Sequence, residues 1–146
     1  MTKTADATIF GCVEYVSLPQ FGMKDVIAKI DTGAYSGALH CSSIREVKKD
    51  DKKFLQFTPS ANHSHTMETD NYELKLVRSA TGHEVKRYII TTKIHIQDKE
   101  YDICIGLSDR SKMQREVLIG RRFLRENNVL VDTRINQELD TDGRRQ

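Results

Sequence analysis

Asp31-Thr32-Gly33-Ala34 closes the apolar run Val26-Ile27-Ala28-Lys29-Ile30. A carboxylate at the end of a strand sits on a turn at the edge of a core, held rigidly from below and able to face a cleft above. The chemistry open to it is activation of water against a carbonyl. One carboxylate does not complete that chemistry. Two acids side by side share a proton, because both cannot cheaply ionise. One then acts as base toward water and the other as acid toward the carbonyl. The chain has a single Asp-Thr-Gly, so a two-fold dimer would have to supply the second Asp31. The competing reading is that Asp31 only braces its turn, and motif and context alone favour neither. Thr32 is placed to hydrogen-bond within the turn, and Gly33 to let backbone approach closely.

Other constellations carry less. Val117-Leu118-Ile119-Gly120-Arg121 reads as a strand, a glycine and a basic helix start, with Gly120 allowing a close crossing that buttresses the Asp31 turn. Cys12, His40, Cys41, His63, His65 and His83 are enough potential zinc ligands for a site, but their spacing is poor and no His-Glu-x-x-His occurs. Cys41 beside His40 is a weak nucleophile pair, since adjacent strand side chains point apart. Ser36 and Ser42 lack the Gly-x-Ser-x-Gly elbow, and no Gly-rich loop ends in Gly-Lys-Ser/Thr. No cofactor is expected. Lys29, Arg87, Arg110, Arg115, Arg121 and Arg122 are the basic candidates for recognition. A cleft lined by several would favour an acidic substrate, because arginine grips carboxylates in a bidentate geometry; at least half are expected to be solvated surface residues.

The elements that must position these residues are short strands. The pattern predicts strands over Ile9 to Leu18, Val26 to Ile30, Lys53 to Thr58, Tyr72 to Arg78, Val85 to Ile96 and Tyr101 to Leu107. Turns are expected at Gly22, Ala80 to His83 and Gln97 to Glu100. Lys48-Lys49-Asp50-Asp51-Lys52-Lys53 reads as a solvated hairpin end rather than a phosphate-binding patch. Ser60 to Asn71 is polar and aperiodic and reads as a loop. One helix is expected over Arg121 to Asn127, then a last strand Val129-Leu130-Val131. A succession of hairpins argues for a sandwich or barrel.

With 146 residues and 38% hydrophobic residues, the chain can bury one core. One domain over 8–134 is expected, with flexible tails over 1–7 and 136–146. No apolar run approaches a membrane span, and Met1 to Ala7 does not read as a secretory signal. The expectation is a soluble, cytoplasmic protein. The formal charge of +2 gives no push toward nucleic acid or a membrane surface. Three cysteines without close pairing predict reduced, partly buried thiols rather than a disulfide framework.

Two segments resemble the hallmarks of retropepsins: Lys29-Ile30-Asp31-Thr32-Gly33-Ala34, and Val117-Leu118-Ile119-Gly120-Arg121 followed by a short helix. The chain is also similar to a retropepsin-like family of bacteria and archaea labelled ATP-dependent zinc proteases. Glu14 to Pro19, the run from Lys29 to Ala34 with Ser36, Ala38, Leu39 and His40, then Ser79, Gly82 and Arg87, and finally Asp109-Arg110, Met113 and Leu118 to Arg122 carry the likeness over about residues 9 to 134. Tyr35, Gly37 and a Ser60 to Asn71 loop that is not a glycine-rich flap depart from it. The resemblance implies an all-β, closed or partly closed retropepsin-like barrel with one short C-terminal helix. It implies a peptidase whose active-site aspartate is Asp31, with Thr32 and Gly33 in the same turn. By the resemblance His40, Arg87, Arg110, Arg121 and Arg122 become site or structural candidates; with Lys29, from the basic residues above, they form the substrate-binding set, and a homodimer is expected. Some members of the family are associated with ATP-grasp ligases that add glutamates to a protein. A peptide or protein substrate, glutamate-rich in kind, and an ATP-grasp partner follow from that. Two alternatives stand beside this reading: a catalytically weak peptide-binding or regulatory domain, and a metal-dependent amidohydrolase using Asp31 and His40.

Overall fold

The computed structural model describes residues 6–59, 65–78, 81–108 and 115–140. Eleven strands and one short helix account for most of them. The strands are β1 (Thr8–Phe10), β2 (Val13–Leu18), β3 (Met23–Ile30), β4 (Gly37–Lys49), β5 (Lys52–Pro59), β6 (Met67–Thr69), β7 (Glu73–Arg78), β8 (Glu84–Ile96), β9 (Lys99–Ser108), β10 (Val117–Ile119) and β11 (Val129–Val131). The helix, α1, spans Arg121–Glu126.

Strands β10, β3, β2, β8, β9 and β4 follow one another, and β4 pairs back to β10, closing a six-stranded barrel. Alternation drives the closure. In β8, Ile90, Thr92, Ile94 and Ile96 point inward; in β9, Tyr101, Ile103, Ile105 and Leu107 do the same. Each buried aliphatic side chain contributes roughly 1.5–3 kcal/mol relative to leaving it in water. Thr92 is the polar member of this inner face, and its hydroxyl donates to Gln20 Oε1 at 2.7 Å, as a buried donor must. Beyond the ring, β5 and β6 extend β4, and β7 extends the first half of β8. β1 and β11 form a separate parallel pair, seated through Phe10, which stacks on Phe123 and meets Tyr101 edge-on.

The barrel, the short helix, the hairpin end at Asp50-Asp51 and the strands from β7 to β9 lie where the sequence put them. Three segments differ. The expected strand from Ile9 to Leu18 breaks at Gly11-Cys12, where the 132–136 segment crosses; Cys12 N donates to Ile135 O at 3.1 Å. β4 is a 13-residue strand that the pattern did not announce. A register shift between Cys41 and Ser43 moves the inward parity from Leu39 and Cys41 to Ile44, which hides the period-2 signal. Within the expected loop, Met67–Thr69 is a strand, held by Met67 against the core and by Glu68 and Asp70 on Lys49 and Lys52. At the other end, residues 137–139 form a 3-10 turn, and Asn136 donates to Val13 O at 2.7 Å.

Candidate active site

The turn that carries Asp31 is built by a strand arriving from far along the chain. β10 lies between β3 and β4, parallel to the first with Ile119 beside Ile30, and antiparallel to the second with Leu118 beside Ala38. The chain leaving β3 must therefore loop over the end of β10 before returning as β4. Asp31 N donates to Ile119 O at 2.8 Å. Arg121 N and Arg122 N donate to Ala34 O and Tyr35 O at 2.8 and 3.0 Å. Gly33 N donates to Asp31 Oδ1 at 2.9 Å, an Asx turn that fixes the carboxylate. From above, Arg121 Nη1 donates to Gly33 O at 3.1 Å, and its guanidinium lies 5.5 Å from the Tyr35 ring centre.

Two glycines make the crossing possible through lack of bulk. A Cβ on Gly120 would stand 2.5 Å from Tyr35 O, and one on Gly37 would stand 2.8 Å from Leu118 O. The close approach expected of Gly33 is not found there: an added Cβ would meet only Asp31 Oδ1, at 3.2 Å. The expected role of Gly120 is what the geometry shows.

Asp31 is half-buried and lines a cleft with Ala34, Tyr35, Ser36, Gly37, Ala38, Arg87 and Ser108 among its walls. A second cavity of about 220 Å³ opens from the same stretch, sharing Tyr35, Ser36, Gly37, Arg87 and Gly106 with the first. It runs between β7, β8, β9 and α1, where Lys75, Ile89, Ile103, Cys104, Arg122, Phe123 and Glu126 complete it. Gly106 lets the Arg87 stem lie flat, with Cδ 3.4 Å from where a Cβ would be.

The sequence candidates separate on this map. Asp31 and Arg87 both line the cleft, and Arg122 stands in the adjoining cavity with Nε on Glu126 at 3.1 Å. The Glu126 carboxylate pushes Arg122 further up from its ordinary range. Arg121 serves the turn itself. Thr32 is exposed, and among the described residues its hydroxyl does not make the hydrogen bond within the turn that was expected. Lys29, on β3 between Val13 and Leu118, lines neither cavity. His40 sits on β4 opposite Ser108, with its backbone N on Glu116 O, and also lines neither. Arg115 serves the C-terminal segment, donating to Leu139 O. Arg110 lies outside the described residues, as do Ser79, Asp109, Met113 and His63. Among the described residues, no three His, Cys, Asp or Glu side chains converge as metal ligands. The three cysteines are free, with Cys41 buried, Cys12 half-buried and Cys104 exposed.

Lys75 and Cys104 were missed. Lys75 had a signal. A hairpin between Tyr72 to Arg78 and Val85 to Ile96, turning near residue 81, sets Lys75 opposite Arg87, which is the observed register. Cys104 had none beyond the alternation of β9, which turns it away from the core.

A closed β-barrel whose strand-end Asp-Thr-Gly turn is locked by a crossing Ile-Gly-Arg segment defines the retropepsin-like class, a protease-like fold. Within it, the chain belongs to the RimB-like family, described as retropepsin-like aspartic endopeptidase RimB, whose model matches residues 9–138. Among curated relatives, proteins named "Probable alpha-L-glutamate ligase" from Desulfotalea psychrophila and Shewanella pealeana are 22% and 26% identical over 89% and 85% of this chain. A third of the same name, from Parasynechococcus marenigrum, is 28% identical over 90% of it. The chain spans less than a third of their length, 28–29%. Among solved structures, a Legionella pneumophila protein of unknown function superposes with a TM-score of 0.69 at 27% identity, covering 88% of this chain and 95% of that one. Among the described residues, no helix is long and apolar enough to cross a membrane.

Proposed function

We propose that the chain is a peptidase in which Asp31 activates water against a peptide carbonyl, and that it acts on acidic, glutamate-rich peptides. The observation that carries this reading is the state of the Asp31 carboxylate. Oδ1 is held by Gly33 N, while the group faces a cleft in which it is the only acid among the described residues. A water-activating dyad needs a second carboxylate near 3 Å away. A two-fold related copy supplies one, because each copy would present the same exposed turn, with Thr32 and Gly33 at its tip. Arg87 in the cleft wall supports an acidic substrate. So does the ligase name of relatives that contain a region similar to this chain, which also supports a place beside an ATP-grasp glutamate ligase.

The test is turnover of a glutamate-rich peptide by wild-type chain, by Asp31→Asn, and by mixtures of the two. Asp31→Asn should be inactive. In excess over wild type it should poison activity by forming mixed dimers. Turnover that survives the substitution would end the proposal. Wild-type activity that merely dilutes, without poisoning, would remove the paired site. Peptide binding by the wild type with no turnover would instead favour a peptide-binding domain.

A further inference from the structure

The β7–β8 hairpin has two faces, and they differ. Lys75 and Arg87, opposite each other, lie on the face that borders the cavities. The other face carries Leu74 opposite Tyr88 and Leu76 opposite Lys86, because successive strand residues point to opposite sides. This second face looks across at the β4–β5 hairpin. The hydroxyls of Tyr72 and Tyr88 both donate to the Glu46 carboxylate on β4. The charges of Lys53 on β5 and Lys86 on β8 reach it too. The Tyr72 bond first, then the Tyr88 bond and these two charges, hold the Glu46 carboxyl below its ordinary range against the opposing effect of burial.

Beyond this clamp the facing surfaces are uncovered. Leu74 and Leu76 are 42% and 61% exposed. Across from them Lys48 stands opposite Lys53, a like-charge pair that repels. The reverse side of the same hairpin answers that problem. Lys49 and Lys52 also oppose each other, and Glu68 and Asp70 pair with them at 2.8 and 2.6 Å. Among the described residues, Lys48, Lys53 and Lys86 close no ion pair. Glu46 offsets one of the three charges, while Arg78 and Glu84, opposite each other nearer the tip, cancel. One hairpin thus presents bare leucines and the other bare lysines. Single exposed leucines are ordinary, but neighbouring ones rimmed by unpaired charge mark a contact surface.

We propose that the mouth between the two hairpins docks an extended segment of a partner protein in which apolar and acidic side chains alternate. The alternation follows from the strand period of two. Apolar side chains turn to Leu74 and Leu76, and carboxylates turn to Lys48 and Lys53. The lysines set the sign of the partner, and the leucines set its apolar half. Arg87, which lines the Asp31 cleft, lies on the other face of the β7–β8 hairpin. The docked segment is therefore not a chain being cut, and the cleft stays open while it is bound.

Binding of capped hexapeptides to the Asp31→Asn chain, measured by calorimetry, tests this. The alternating peptide Leu-Glu-Leu-Glu-Leu-Glu should bind at least about tenfold more tightly than Leu-Leu-Leu-Glu-Glu-Glu, which has the same composition and charge. Leu76→Ser and Lys53→Glu change exposed side chains, so the fold tolerates both, and each should weaken the alternating peptide by about tenfold or more. Lys53→Arg should preserve binding. Lys75→Met, on the opposite face, should leave it within about twofold. No binding of the alternating peptide at millimolar concentration would overturn the proposal, as would unchanged binding in both Leu76→Ser and Lys53→Glu. Equal binding of the two hexapeptides would overturn the extended, alternating occupant. A loss in Lys75→Met as large as in Leu76→Ser would place the peptide in the cavity beside Asp31 and overturn the docking face.

Discussion

Two carboxylates on neighbouring strands serve opposite ends. Glu14, on β2 opposite Ala28, is 7% exposed, and its Oε2 accepts from Gly11 N at 2.7 Å, Asn136 Nδ2 at 3.2 Å and Gln97 Nε2 at 3.3 Å. It ties the β1–β2 link, the β8–β9 turn and the C-terminal segment to one atom. Asp31, three residues beyond Ala28, has one backbone donor and a cleft in front of it. A buried carboxylate saturated with donors is a structural joint; removing it orphans every donor. A carboxylate anchored once and left open is available for chemistry. Glu46 lies between these cases, half-buried and clamped by Tyr72 at 2.7 Å and Tyr88 at 3.1 Å. Burial and donor count, rather than residue type, separate the three.

Four substitutions would break or sharpen that contrast. Asp31→Asn keeps an oxygen for Gly33 N, so stability should move by less than about 1 kcal/mol. Turnover should fall by about a thousandfold or more, the scale of losing a general acid–base group; parallel melts and peptide assays separate the two. Gly120→Ala forces a methyl against Tyr35 O and should blur the contrast. We expect about 1–3 kcal/mol of destabilisation from overpacking and about a hundredfold loss of turnover from a displaced Asp31. Glu14→Ala should do the reverse of Asp31→Asn. About 2–4 kcal/mol of stability should disappear in denaturant titrations, while turnover per folded molecule stays within about twofold; a larger loss of turnover would show that the joint also shapes the site.

Tyr72→Phe is the mildest. Losing one donor to Glu46 should cost about 1 kcal/mol. Its value lies in pH dependence. The hydrogen bond to Glu46, then burial, pushes the Tyr72 phenol up from its ordinary value of 10.0 to about 12. The folded state therefore favours the protonated phenol. Its contribution is fully present below pH 10 and is lost as pH rises toward 12. Wild type should lose more stability than Tyr72→Phe across that window, and parallel alkaline melts would refute the clamp.

Much of the fold was legible because apolar and polar residues alternate along β7 in the sequence, and buried and exposed residues alternate along the second half of β8 and most of β9. The region after the Asp31 turn was not. In β4 the register shift after Cys41 exchanges the two faces midway, so no single period describes it. The site divided in the same way. Asp31, Gly120 and Arg121 lie in contiguous motifs whose backbone hydrogen bonds enforce their geometry. Lys29 and His40 lie next to those motifs in sequence, yet strand direction carries them away from both cavities. Lys75 enters only through pairing register, a relation between two segments rather than a property of either. Glu14 had no distinguishing pattern, because its partners come from residues 11, 97 and 136.

The crossing of β10 between β3 and β4 also has a consequence in time. Gly33 and Arg121, which meet at the turn, are separated by 88 residues. The long-range backbone bonds made by Asp31, Ala34 and Tyr35 use Ile119, Arg121 and Arg122. Contacts this distant in sequence form late, after the loop between them has been closed. A chain still under synthesis thus carries its aspartate for most of its length without the surface that aims it. The turn that aims Asp31 is completed only with the last quarter of the domain, so whatever chemistry it supports is closed to a partly made chain.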